Sequence, residues 1–231
     1  MTADYRTYYQ GKSVLVTGGT GALGSAVVRA YVAQGAKVMV ADRHPPRPAN
    51  TVPDTEFQHL DVLDETSVSE LFAKVEVDVL VNVVGGYLAG DSVAALKLAD
   101  VQNQFDLNLK SAFLLTKYAV LAMQKHGGGK IVHIASRAAV DKGANSFAYS
   151  MSKAAVLRLV EATAAETLAQ NININAVMPS IIDTQVNRSA MPNAKFENWP
   201  KPEQIADVLL FLTSPDAVLI SGAAIPVYGK A

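Results

Sequence analysis

"VLVTGGTGALGSAV", residues 14–27, decides the fold. Its first residues form a short, apolar, β-branched run, the pattern of a buried strand over 13–17. "ALGSAVVRAYVAQG" (22–35) follows with helical character and ends at a glycine. The glycines between them allow a tight turn and a close backbone approach, and the helix N-terminus favours an anion such as a pyrophosphate. A second strand, "KVMVA" (37–41), ends at Asp42, the place where a dinucleotide site needs a carboxylate for ribose hydroxyls. Strand, turn, helix and acidic residue together point to a dinucleotide site and away from an ordinary βα turn.

Outward from this unit, strands alternate with helices. "EFQHL" (56–60), "DVLVNVV" (78–84), "KIVHIAS" (130–136), "INAVM" (174–178) and "AAIPVY" (223–228) read as strands. Residues 99–126, 148–170 and 201–214 read as helices, the last with Pro202 in its first turn. Strands without a polar face that alternate with helices imply a parallel sheet covered on both sides. The expectation is one α/β domain, a Rossmann-type doubly wound sheet of about seven strands, spanning 1–231. Pro226 suggests an edge position for the last strand. The connection "RHPPRPANTVPDT" (43–55) carries four prolines, so an extended loop is expected there in place of a crossover helix.

Composition bounds the rest. Half of the 231 residues are apolar, 18% are charged and the net charge is −1, so a large core is available and no basic stripe suggests nucleic acid. Without cysteine there are no disulfides, thiolate nucleophiles or cysteine–metal sites. The four histidines form no i, i+4 ligand pair, and His133 reads as a core or strand residue, so no metal site is expected. The polar N-terminal stretch 1–10 and the lack of a long apolar run imply a soluble, cytoplasmic protein with no membrane partner.

"AYSMSKAAV" (148–156) places Tyr149 and Lys153 one helical turn apart. An ammonium beside a phenol favours the phenolate, so a lowered tyrosine pKa and a proton donor–acceptor are expected. The pair Tyr8/Lys12 has the same spacing and reads as chance.

Together these motifs resemble the short-chain dehydrogenase/reductase family. Thr17, Gly18 and Gly24 match the classical TGxxxGxG, with Ala22 in place of its middle glycine; Gly18, Gly21 and Gly24 fit TGxxGxxG, the spacing of the extended branch. Asp61 in "HLDV" matches the adenine-contacting aspartate. Asn82 and Gly85 of "NVVG" stand where the family has NNAG. Asn108 matches the asparagine of the fourth helix, Ser136 lies thirteen residues before Tyr149, and "MPSIIDT" (178–184) matches PGxxxT through Thr184.

The resemblance implies hydride transfer between a nicotinamide cofactor and a small carbonyl or alcohol. Asn108, Ser136, Tyr149 and Lys153 would be catalytic, with Asn108 holding a water in a relay to Lys153. Thr20, Ala22, Leu23, Arg43, Val62, Val84, Pro179 and Ile182 would line the cofactor with the motif residues already named. Asp42 favours NAD(H), while Arg43 and Arg47 keep NADP(H) open. A lid over 183–200, containing Arg188, Met191, Phe196 and Trp199, would cover a substrate pocket bounded by 86–90, Arg137 and 145–147. A homo-oligomer, tetramer or dimer, is implied. Similarity of the glycine turn and lid to dihydropteridine reductases gives a pterin reductase as the alternative. A non-catalytic dinucleotide sensor and a sugar-nucleotide epimerase are the other readings; the short chain leaves no room for the epimerase's substrate domain.

Overall fold

A computed structural model describes residues 4–230, so residues 1–3 of the polar N-terminal stretch lie outside it. Seven parallel strands form one sheet in the order β3-β2-β1-β4-β5-β6-β7. They are β1 Ser13–Thr17, β2 Lys37–Asp42, β3 Thr55–His59, β4 Val79–Asn82, β5 Gly129–Ile134, β6 Ile172–Pro179 and β7 Ala224–Val227. Pro226 lies on an edge strand, where a missing donor disturbs one side of the ladder only.

The helices are α1 Arg6–Tyr9, α2 Ala22–Ala33, α3 Glu65–Lys74, α4 Leu98–Phe105, α5 Ser111–Lys125, α6 Phe147–Thr167, α7 Gln185–Ala190 and α8 Pro202–Leu212. Gly35, just past α2, takes φ +83°, the left-handed conformation that ends a helix at little cost for glycine. α2 and α8 cover one face over Val14, Val16, Val27, Ile205 and Leu209. α3, α5 and α6 cover the other over Leu15, Leu71, Leu115, Val160 and Ile174. Burial on both faces explains why the central strands β1 and β4 are almost wholly apolar, whereas edge strand β3 is polar and mostly exposed.

α3 has no counterpart in the sequence reading, although its signals are present. Asp64 caps it by accepting the Thr66 N–H at 2.9 Å, and Val68, Leu71 and Phe72 recur at helical spacing on its buried face. The helix expected over 99–126 is also not uniform. Residues Asp106–Lys110 form a single π-turn between α4 and α5, and this wide turn carries Asn108. The connection 43–55 contains no α-helix, only a 3-10 turn at Pro48–Asn50.

The strand order reverses between β1 and β4. Helices leave the sheet to opposite sides there, and a crevice opens at the strands' C-terminal ends. Asn82, the last residue of β4, lies just below it. Its Oδ1 accepts from Thr17 Oγ1 at 2.9 Å and from the Val84 N–H at 3.0 Å. Its Nδ2 donates to His133 Nδ1 at 3.0 Å, so the proton of His133 sits on Nε2, 2.8 Å from Thr116 Oγ1. His133 is a strand residue, buried and neutral; burial, with Lys153 adding to it, lowers its pKa to about 3.

That shift links stability to pH. Between pH 3 and 6.5 the unfolded chain binds a proton at His133 that the folded chain refuses. Stability from this group is therefore complete above pH 6.5 and is lost as pH falls, by about 1.4 kcal/mol per unit. Urea titrations from pH 7 to 4 are expected to show this loss, and His133→Gln is expected to flatten the curve. An equal slope in the variant would assign the acid sensitivity to other groups.

Candidate active site

The crevice is a groove of about 500 Å³. Its floor is the turn after β1: Gly18, Thr20, Gly21, Ala22, Leu23 and Gly24. Gly18 has φ +73°, and a Cβ there would meet Val84 N at 2.8 Å. A Cβ on Gly24 would lie 2.2 Å from the Gly18 carbonyl oxygen, whereas one on Gly21 would find nothing nearer than 3.7 Å. Ala22 is exposed at the first position of α2, so its methyl group costs no space. Asp42 closes one end of the groove. Ser136, Tyr149 and Lys153 converge at the other, and Val84, Gly85, Pro179, Ile182 and Thr184 complete the walls. A cradle in which added carbon atoms would strike backbone, running from a carboxylate to a tyrosine–lysine pair, fits an extended dinucleotide.

The catalytic-end residues are bonded through several elements. Asn108 is buried, not a solvated helix position. Its Oδ1 accepts the Gly86 N–H at 3.0 Å, and its Nδ2 donates to the Gly86 carbonyl at 3.1 Å and to Ser152 Oγ at 3.0 Å. Asn108 therefore fixes the loop after β4 from behind the wall. Lys153 Nζ donates to the Ile134 carbonyl at 2.8 Å. A Cβ on Gly85 would lie 2.9 Å from both Asn108 Oδ1 and Lys153 Nζ, so glycine is needed where these two atoms converge.

The expected lowering of the Tyr149 pKa is overturned. Burial pushes the phenol up, the nearby Ser136 hydroxyl lowers it in part, and Tyr87 raises it further. The ammonium of Lys153 faces the Ile134 carbonyl, and burial brings its own pKa down to about 8. Desolvation outweighs charge proximity. The result is a phenol that holds its proton at neutral pH.

Tyr87 falls inside the expected pocket boundary 86–90, but no role for its ring was foreseen. It lines the groove, and its ring meets that of Tyr149 edge to face at 4.9 Å. The signal was slight: one aromatic residue in a loop, "GGYLAG". The groove also includes Ser180, but not Arg137 or residues 145–147 of the expected substrate wall. Arg137 pairs with Asp141 at 2.6 Å and lies over the Tyr228 ring at 5.2 Å.

Besides Asn82, which lies below the crevice, three cofactor candidates stand back from the groove. Arg43 is exposed, Val62 is core, and Asp61 Oδ1 accepts the Leu63 N–H at 3.0 Å. In the segment 183–200, Thr184 caps α7 by accepting the Asn187 N–H at 3.2 Å. Arg188 donates to both Asp183 oxygens at 2.5 and 2.8 Å and stacks 5.1 Å from Phe196, whose ring lies 5.0 Å from that of Trp199. Among the described residues no group of three or more His, Asp or Glu gathers as metal ligands, and no helix is long and apolar enough to cross a membrane.

The family model for short chain dehydrogenase matches residues 12–195. The chain is 30% identical to the 7alpha-hydroxysteroid dehydrogenase of Escherichia coli K12, over 95% of this chain and 93% of that protein. It is 30% identical to the NAD-dependent glycerol dehydrogenase of Listeria innocua, over 91% and 90%. The solved structure "ElxO with NADP Bound" superposes with a TM-score of 0.88 at 28% identity, over 95% of this chain and 98% of that one. The chain belongs to the short-chain dehydrogenase/reductase family. It is an NAD(P)-dependent oxidoreductase, and the pterin-reductase alternative gains no support. Of these relatives, one is named as NAD-dependent and another was solved with NADP bound.

Proposed function

We propose that the chain transfers hydride between NAD(H) and a small carbonyl or alcohol, with Tyr149 as the general acid and base. The observation that carries this is one groove with Asp42 at one end and Ser136, Tyr149 and Lys153 at the other. The nicotinamide supplies the hydride; the chain supplies position and a proton. In the reduction direction the substrate oxygen lies against Tyr149 and Ser136. Tyr149, protonated, donates to it as negative charge develops. Ser136, which lines the groove with Tyr149, orients the oxygen. Lys153 holds ribose hydroxyls and steadies the phenolate left behind. Asn108 supports the relay by fixing the loop at Gly86 and holding a water toward Lys153. Residues 183–200 cover the substrate, with Ile182 and Thr184 on the cofactor side.

The preference for NAD(H) rests on Asp42. A carboxylate accepts hydrogen bonds from both adenosine-ribose hydroxyls and repels a 2′-phosphate. The expected result is a higher kcat/KM with NADH than with NADPH, and a shift toward NADPH in Asp42→Ala. A wild-type preference for NADPH, or no shift in the variant, would remove Asp42 as selector. A non-catalytic sensor would bind nucleotide without turnover on any carbonyl in a panel.

The chain is also proposed to form a homo-oligomer, tetramer or dimer. Leu98 and Phe113, on α4 and α5, are apolar and exposed together beside Val101, Phe105 and Leu109. Light scattering at micromolar concentration is expected to give a multiple of the chain mass; a monomer mass would refute it.

A further inference from the structure

The proline-rich connection after β2 is fastened to the glycine turn. Its 3-10 turn is closed by the Asn50 N–H on the Arg47 carbonyl at 2.8 Å. From there Asn50 Nδ2 donates to the Thr20 carbonyl oxygen at 2.8 Å. Thr20 in turn holds Asp42: its N–H and its hydroxyl donate to Asp42 Oδ2 at 3.3 and 2.6 Å. The other carboxylate oxygen accepts the Arg43 N–H at 2.7 Å. Asn50, Thr20 and Asp42 thus form one chain of hydrogen bonds, from the proline connection to the carboxylate at the end of the groove.

We infer that Asn50 is a positioning residue for the adenosine end of the dinucleotide site, acting through Thr20 to fix the carboxylate that discriminates between NAD and NADP. The inference rests on the assignment of Asp42 as the selector. A carboxylate rejects a 2′-phosphate only where its charge is held toward that phosphate; a carboxylate free to rotate turns away and the clash disappears. The Thr20 clasp holds one rotamer of Asp42, and Asn50 holds Thr20. The tether has a second effect. Arg47 lies three residues before Asn50, and the closed turn keeps this cation from following a phosphate. Prolines 45, 46, 48 and 53 narrow the conformations of the connection, so little freedom is lost in making the tether. The connection that the sequence predicts as an extended loop is thus pinned beside the site.

The test is Asn50→Ala, read by calorimetry with ADP-ribose and with 2′-phospho-ADP-ribose, which report the adenosine end without turnover. ADP-ribose affinity is expected to fall about three- to tenfold, the size of one neutral hydrogen bond. Preference over the 2′-phospho ligand is expected to fall at least about threefold in parallel. KM for NADH should rise with kcat at saturation within about twofold, because the reacting end is untouched. Asn50→Ser, which keeps a polar side chain in the turn, guards against a folding defect. In a Thr20→Val background, where the hydroxyl clasp is gone, Asn50→Ala should change the preference less than about 1.5-fold. Unchanged affinity and preference, an equal loss for both ligands, or full additivity with Thr20→Val would overturn the inference. A wild-type protein that prefers the 2′-phospho ligand would instead defeat the assignment of Asp42, a result read without any Asn50 variant.

Discussion

Tyr149→Phe is expected to lower turnover by a factor of about 10² to 10⁴, the usual worth of a positioned general acid, and to leave nucleotide affinity within about threefold. The substitution removes one hydroxyl from a half-buried ring and keeps the edge-to-face contact with Tyr87. What is lost is a proton held at the point where negative charge appears. Burial keeps that proton on the phenol at neutral pH, so the wild-type protein starts in the donor state. Rates with saturating cofactor and carbonyl, beside binding of NADH followed by fluorescence, separate the two effects. Activity above a tenth of wild type would show that another group is the acid. Tyr8→Phe is the control, since Tyr8 packs against Tyr9 at 4.9 Å, away from the groove, and its loss should leave the rate unchanged.

The sheet was legible because its central strands are short apolar runs set between helical patterns. β1, the turn and α2 were readable to within a residue or two, since the glycine turn has few alternative conformations. α3 was missed although Asp64 and its apolar spacing announced it. The π-turn at 106–110 was not readable at all. It is one extra residue's widening inside a continuous helical pattern, and its sequence "DLNLK" has no distinctive composition.

Within the site, residue identities were legible and electrostatics were not. Spacing put Tyr149 beside Lys153, and they do share the groove. Which way the phenol shifts depends on burial and on where the ammonium points, and Lys153 points at the Ile134 carbonyl. Sequence distance contains neither quantity. The same holds for Asn108, whose bonds to Gly86 cross twenty-two residues of chain.

The glycine turn yields the second large effect, and the structure ranks its glycines where the motif could not. Gly24→Ala would place a methyl group 2.2 Å from the Gly18 carbonyl oxygen and 2.6 Å from Gly19 Cα. Both are backbone atoms, so no side chain can rotate away and the turn must open. Overpacking of this kind costs about 1–3 kcal/mol in ordinary cores, and rigid backbone on the other side puts this case at the upper end. For a chain of this length that corresponds to a fall in Tm of about 6–12 °C. The larger consequence is at the groove. An opened turn no longer aims its amides and the N-terminus of α2 at a pyrophosphate, and NADH affinity is expected to drop by at least about 100-fold, the worth of two or more charge-assisted hydrogen bonds. Gly21→Ala is the matched comparison. Gly21 has φ −76° and ψ 177°, a conformation open to any residue, and its nearest neighbour to an added Cβ is 3.7 Å away. That variant should melt within about 2 °C of wild type, since nothing in the protein is displaced. Calorimetric melting of both variants, with NADH titrations on each, decides the matter. Equal melting temperatures for the two would mean that the turn yields at Gly18 and Gly19, and that close backbone packing is not what position 24 requires glycine for.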